Sequence, residues 1–91
     1  MIEKIEVESF STDPNAAVIK LPGRKFPGAV IQGDSLKILI DCLENASILA
    51  KRLGDSQLQE SVEELENLLT PYLRAYEETL RANGQLLPYV P

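Results

Sequence analysis

The tetrapeptide Gly33-Asp34-Ser35-Leu36 comes nearest to catalytic chemistry in this chain, because a serine beside a carboxylate could serve as a nucleophile. A serine hydroxyl is a weak nucleophile until a positioned base, most often a histidine, accepts its proton. The chain contains no histidine. Asp and Ser are also preferred residues at the start of a helix. We therefore interpret the tetrapeptide as a helix start and predict that the protein is not an enzyme.

The same tetrapeptide resembles the nucleophile motif of the GDSL hydrolases, and it falls where a strand is expected to lead into a helix. The resemblance covers four residues, and the family needs a histidine base further along the chain. A lysine base is the alternative that remains for a hydrolase. With no histidine and a single cysteine, Cys42, a zinc site is not expected either. We predict no metal and no cofactor.

Residues 22–28, PGRKFPG, form a second candidate site, because two Pro-Gly turns enclose two cations and an aromatic ring. Residues 14–33 contain Lys20, Arg24 and Lys25 and no acid. An arginine and the amides of a nearby helix start can bind a carboxylate or a phosphate. The candidate binding residues are Arg24, Lys25, Phe26, Asp34 and Ser35.

Three interpretations of this loop remain open. In the first, the loop is only structural: the glycines serve tight turns, Phe26 plugs the sheet edge and the cations keep that edge soluble. In the second, it binds a protein partner. In the third, it binds a small anion, although Asp34 would place its own carboxylate at the helix amides.

Length and charge exclude several classes of protein. Ninety-one residues are enough for one core, so we predict a single domain over residues 1–91. Fourteen acidic against nine basic residues give a net charge of −5, which repels phosphate backbones and makes nucleic acid an unfavourable partner. No apolar run is long enough to span a membrane, and the N-terminus does not resemble a secretory signal. With one unpaired cysteine, these features favour the cytoplasm.

Hydrophobic periodicity predicts an α+β fold. Apolar residues alternate with polar ones over residues 4–9 and 17–21, and a short apolar run covers residues 29–32. Short connections favour antiparallel neighbours, so we predict a three-stranded β-meander within residues 1–33, with residues 22–28 as its wide hairpin loop. Two long helices follow.

The first helix is predicted over residues 34–54, with Asp34 or Ser35 as its N-cap and Gly54 as the residue after its end. Its apolar residues fill an arc of roughly 200°, which is wider than the stripe of an ordinary surface helix. We therefore expect the sheet to cover one side of this helix and the second helix to cover the other.

The second helix is predicted over residues 55–84 and opens with Ser56, whose spacing to Gln59 fits a capping box. Its apolar stripe is spaced by fours and threes, with Leu65 and Leu69 at the centre. Proline removes a backbone donor, so we expect a kink or a break at Pro71. The proline-broken tail, residues 85–91, should be extended. The stripe comprises Leu58, Val62, Leu65, Leu69, Tyr72, Tyr76 and Leu80.

Helix two and the tail together carry more apolar surface than a three-stranded sheet can cover, so we expect a homodimer. Tyrosines are favoured at interfaces because they combine apolar area with a polar tip. The predicted two-fold interface consists of Tyr72, Tyr76, Leu86, Leu87, Tyr89 and Val90.

Residues 21–36, an LPGRxFPG segment followed by QGDSL, resemble a family of small bacterial proteins of unknown activity. The likeness covers the N-terminal half and weakens after residue 54. It implies a bacterial, cytoplasmic protein and implies no activity. From the residues themselves we expect a non-catalytic protein-interaction or regulatory module, which includes an immunity-type role, with an unknown protein partner. The alternative is a small-anion or metabolite sensor that uses residues 22–28 and the start of helix one.

Overall fold

The structure is a computed structural model that describes residues 2–11 and 13–91, so Met1 and Thr12 lie outside the described residues. The chain divides into two compact units, Met1–Gln32 and Gly33–Pro91. The first unit contains three strands, and the second contains two helices and a C-terminal tail. The predicted α+β class is confirmed, while the single domain predicted over residues 1–91 stays a prediction.

The first unit is a three-stranded antiparallel sheet in the order β1-β2-β3, as predicted. Ser9 lies opposite Ile19, and Val18 lies opposite Ala29, with a register irregularity in β1 between Ser9 and Ser11. The strands are β1 (Glu8–Ser11), β2 (Val18–Lys20) and β3 (Gly28–Ala29).

These strands are shorter than the alternating pattern predicted. Ile5 and Val7 precede β1 and are exposed, and Ile31 follows β3 and is exposed. The β2 ladder stops at Lys20 because Pro22 has no amide hydrogen to donate, so the described residues 2–7 have no partner strand. None of the described residues of this unit is buried. The meander therefore has no core of its own.

Helix α1 spans Gly33–Leu53 and starts one residue before the predicted boundary at residue 34. Asp34 therefore lies in the first turn and is not the N-cap, and its Oδ1 accepts a hydrogen bond from the Ser35 amide at 2.9 Å. Gly54 follows the helix with φ +68°, a left-handed conformation that glycine adopts without strain, as predicted for the end of this helix.

Helix α2 spans Ser56–Ala82, and its N-cap is Asp55. The Asp55 Oδ1 accepts a hydrogen bond from the Leu58 amide at 3.0 Å. The predicted capping box at Ser56 is therefore wrong by one residue. Asp55 has the extended backbone of a cap, and its carboxylate is also favoured by the positive end of the helix dipole.

Helix α2 continues through Pro71, so the predicted break at this position is wrong. Pro71 lies on the exposed side of the helix, where its ring displaces no core side chain. The Thr70 hydroxyl donates a hydrogen bond to the Glu66 carbonyl at 2.7 Å and fastens the turn before the proline. A kink at Pro71 stays a prediction.

The two helices form an antiparallel hairpin across the short connection at Gly54 and Asp55. The packed side of each helix is called its inner seam here. The α1 inner seam contains Leu36, Ile40, Leu43, Ser47 and Ala50, and the α2 inner seam contains Val62, Glu66, Leu69, Leu73, Tyr76 and Leu80. Leu36, Ile40 and Leu73 form the buried cluster, and Leu69 and Tyr76 pack against it.

The phase predicted for the second helix is wrong at Leu65. That side chain is 48% exposed, whereas Val62 and Leu73 are buried. The predicted stripe took Leu58, Leu65 and Tyr72 from the neighbouring face of the helix, because that face is apolar as well.

The tail, residues 85–91, contains no helix or strand, and its Tyr89 side chain contacts the hairpin. The Tyr89 ring packs against the buried cluster, and its hydroxyl donates a hydrogen bond to Glu77 Oε2 at 2.8 Å. Burial, together with the Glu77 carboxylate, raises the pKa of Tyr89 to about 12. The Lys37 ammonium lies 5.8 Å from the centroid of the same ring.

Candidate functional site

The loop of residues 22–28 is an exposed turn structure within the first unit. The Arg24 amide donates to the Leu21 carbonyl at 3.2 Å, and Gly23 takes a positive φ of 78°, so the first Pro-Gly pair forms a tight turn as predicted. Phe26 is 73% exposed, with the Lys25 ammonium 5.5 Å from its ring centroid. Phe26 therefore does not plug the sheet edge, and the purely structural interpretation of this residue is wrong.

A concavity of about 540 Å³ lies along this loop, between the β2 residues and the start of β3. Arg24, Lys25 and Phe26 all line it, with Ile19 and Val30 among its apolar walls. Among the described residues the one ion pair joins Lys37 to Asp41, so Arg24 and Lys25 pair with no carboxylate of the described chain. The loop therefore presents two cations and an aromatic ring to solvent.

Asp34 and Ser35, the other two candidate binding residues, belong to the second unit and are exposed in the first turn of α1. The Asp34 carboxylate already occupies the Ser35 amide at 2.9 Å. A negative charge at this position opposes the binding of an anion to the same helix start.

The six residues predicted to form a dimer interface divide into two groups. Tyr72, Leu86 and Val90 are exposed. Tyr76, Leu87 and Tyr89 are half-buried, with Tyr76 and Tyr89 packed against the hairpin core. The predicted interface stays a prediction, and its two core tyrosines already contact side chains of their own chain.

A second apolar stripe runs along α1 beside its inner seam. We call this stripe the outer seam of α1. Its first four members each come one position before an inner-seam residue, and the fifth continues the spacing of three and four residues. Its members are Leu39, Cys42, Ala46, Leu49 and Leu53. Leu39, Leu49, Leu53 and Cys42 are exposed. Four of the five outer-seam residues of α1 are therefore exposed, and the expectation that the sheet covers one side of this helix stays a prediction.

Helix α2 carries an equivalent stripe, which we call its outer seam. The spacing is again three and four residues, and its four large side chains are exposed. The members are Leu58, Ser61, Leu65, Leu68, Tyr72 and Ala75.

The two outer seams lie on the same side of the hairpin. In both helices the outer seam is one residue, or 100°, before the inner seam, as Leu39 is before Ile40 and Tyr72 is before Leu73. The helices run antiparallel: Gly33, at the start of α1, lies directly beside the ring of Tyr76, which is in the last third of α2. Viewed from one end, antiparallel helices turn in opposite senses, and their inner seams point toward each other. A step of one residue back from each inner seam therefore leads to the same side of the hairpin.

We call this combined surface the apolar face. Its seven large side chains, four from α2 and Leu39, Leu49 and Leu53 from α1, are 42% to 74% exposed. Neither outer seam contains a charged residue. Sequence reasoning missed this face because it assigned the apolar residues of each helix to one arc. The signal that could have revealed it is the pairing of large apolar residues one position apart, such as Leu68 beside Leu69 and Tyr72 beside Leu73.

The opposite side of the hairpin is polar. There Lys37 Nζ donates to Asp41 Oδ1 at 2.8 Å, and this hydrogen bond raises the pKa of Lys37 above its ordinary value. Gln59 Nε2 donates to Glu63 Oε1 at 3.2 Å, and Glu77 accepts from Tyr89. The hairpin thus has one side suited to water and one side suited to another apolar surface.

Comparison with known families gives one match over almost the whole chain. The profile of a family described as a family of unknown function (DUF6959) matches residues 2–89. The chain belongs to this family. Comparison with curated proteins gave no match, and comparison with solved structures gave none. The family supports the sequence-based expectation of a protein group without assigned activity, and it does not test the likeness at residues 21–36.

For this DUF6959 chain the described residues offer little catalytic chemistry. Among them, no three His, Cys, Asp or Glu side chains lie close enough together to hold a metal ion. Within the same described ranges, no helix combines the length and the apolar character needed to cross a bilayer. Ser35 is exposed, its amide donates to the Asp34 carboxylate, and the chain contains no histidine that could activate its hydroxyl. The surface with the clearest potential for interaction is the apolar face.

Proposed function

We propose that this protein is a non-catalytic interaction module that binds another polypeptide through the apolar face of its helical hairpin. The observation that carries the proposal is a continuous, charge-free surface of seven large apolar side chains on a chain of net charge −5. Large exposed apolar patches on soluble proteins commonly mark interaction sites. A regulatory role, including inhibition of another protein in a bacterial cytoplasm, belongs to the same proposal.

The small amount of buried surface also supports this proposal. Five apolar side chains are buried among the described residues, namely Leu36, Ile40, Ala50, Val62 and Leu73. None of the described residues of the meander is buried. A two-helix hairpin and a short three-stranded sheet gain little stability from so small a core. Further burial against a partner would supply what the chain lacks.

Photo-crosslinking tests the proposal directly. Benzoylphenylalanine is placed at Leu65, on the apolar face, and in a separate variant at Ile48, which is exposed on the polar side of the hairpin. After irradiation of native host cells, we expect a crosslinked product with a protein chain from position 65 and none from position 48. Absence of any product at position 65, or equal products at both positions, would overturn the proposal.

A second candidate function is recognition of a small anion by the 22–28 loop. The observation that favours it is the concavity of about 540 Å³ lined by Arg24 and Lys25, which pair with no described carboxylate. Calorimetric titration with inorganic phosphate tests it, with a variant carrying Arg24→Ser and Lys25→Ser as the control. Heat of binding that the variant lacks would support this function, and equal heats from both proteins would refute it.

A further inference from the structure

We propose that the occupant of the apolar face is a second copy of this chain, so that two hairpins pack face to face as a four-helix bundle. The inference rests on the proposed function, because it names the partner for the same surface. Three features of the chain support it: the spacing of the two seams, the distribution of charge and the exposed area.

The spacing of the seams is that of a helix with two helical neighbours. Each helix of a four-helix bundle contacts two others, and each contact repeats every three and four residues. The inner seams use one such repeat for the contact between α1 and α2. The outer seams carry the second repeat, in α1 at 39, 42, 46, 49 and 53 and in α2 at 58, 61, 65, 68, 72 and 75. A second copy presents the same repeat on both helices, so side chains from each hairpin can enter the gaps of the other.

The charges are compatible with this packing. The unit Gly33–Pro91 carries ten acidic and five basic residues, which account for the net charge of −5. Neither outer seam contains any of them, so the seams themselves bring no like charges together. At the edges of the face, helical position places Asp34 and Arg52 on the outer side of α1 and Glu60 and Glu78 on the outer side of α2. If α1 of one copy lies over α2 of the other, Arg52 is near Glu60 at one end and Asp34 is near Glu78 at the other, so the edge charges balance and the charge-free seams decide the contact.

The exposed area matches what a dimer would bury. The chain exposes 7391 Å², whereas a folded monomer of 10.1 kDa exposes about 5300 Å². Counting the two units as separate folded bodies raises the expected area only to about 6300 Å². The excess of at least about 1000 Å² exceeds the roughly 800 Å² per partner of a standard interface. The meander, in which no described residue is buried, contributes part of this excess, and the apolar face contributes the part that a second copy would cover.

Two neighbouring residues provide a matched test. Leu49 and Ile48 are 55% and 51% exposed in the same helix, but Leu49 is in the outer seam and Ile48 is on the polar side of the hairpin. The mass of the purified wild-type chain is measured by light scattering across a dilution series. We expect a species of twice the 10.1 kDa monomer mass. Leu49→Glu should weaken the dimer at least a hundredfold, whereas Ile48→Glu should leave its dissociation constant within about threefold.

A crosslinking measurement keeps the inference testable if Leu49→Glu fails to fold. The purified chain carries benzoylphenylalanine at position 65 in one sample and at position 48 in another. We expect a covalent dimer from position 65 alone. A monomer that crosslinks to a different protein in host cells would overturn the second copy as occupant and leave the proposed function standing. A monomer with no intermolecular product in cells would overturn both, and a dimer unaffected by Leu49→Glu would overturn this interface.

Discussion

Gly33 is the residue at which a single methyl group should have the largest effect. A Cβ at this buried position would overlap the ring carbons of Tyr76, Cζ, Cε1 and Cε2, so Gly33→Ala must push the ring out of its place beside the core. Overpacking of this kind costs about 1–3 kcal/mol. Replacing glycine by alanine in a helix returns at most about 1 kcal/mol. Because three ring carbons overlap the new methyl group, the cost of overpacking should be at the upper end of its range, and we expect a net loss of about 2 kcal/mol in the free energy of unfolding.

A double-mutant cycle separates the clash from other effects of the substitution. When Tyr76→Ala removes the ring, Gly33→Ala should become neutral or stabilising by up to about 1 kcal/mol. Urea denaturation followed by circular dichroism, at one protein concentration for all variants, gives the four free energies. Gly28→Ala is the control, because its Cβ meets no atom within 4 Å. The same loss from Gly33→Ala with and without the Tyr76 ring would refute the reasoning.

Three other predictions concern the tail, the start of α2 and the loop. Because the pKa of Tyr89 is raised to about 12 in the folded chain, its contribution to stability is complete below pH 10 and declines as the pH rises from 10 to 12. Tyr89→Phe should lose this decline in denaturation curves measured across that range, and an unchanged pH profile would contradict it. Asp55→Ala should lower the free energy of unfolding by about 1 kcal/mol and Ser56→Ala by less than half of that, since Asp55 is the cap; the reverse order would contradict the cap. Replacing Arg24, Lys25 and Phe26 by Ser, Ser and Ala should change that free energy by less than about 1 kcal/mol, because Phe26 is exposed, and early thermal unfolding of this variant would contradict it.

The sequence predicts the order of elements well because the change of hydrophobic period is unambiguous. The alternation before residue 33 and the helical repeat after it correspond to the observed meander and hairpin. The boundaries were harder to predict. Asp55 and Ser56 are both good cap residues, and only the backbone conformation of Asp55 identifies the cap. Similarly, the short β2 ladder depends on where Pro22 stops the pairing, which alternation does not record.

The face of each helix was the hardest feature to predict. Leu65 and Leu69 both fit a three-four repeat, but Leu69 packs on the core and Leu65 is exposed. Two apolar stripes that differ by one residue give a single wide arc in sequence analysis. Only packing against α1 shows which stripe the hairpin uses. The Pro-Gly turns predict a hairpin loop at residues 22–28, but the exposure of Phe26 depends on tertiary structure and could not be predicted from its neighbours.

The lack of buried side chains among the described residues of the meander has a consequence for synthesis on the ribosome. Domains usually fold from the N-terminus onward as the chain emerges. Here none of the described side chains of the meander is buried, whereas the buried cluster, Leu36, Ile40 and Leu73, needs most of α2. We therefore expect the nascent chain to remain open until its second helix has left the exit tunnel, so that chaperones have access to the strands throughout translation.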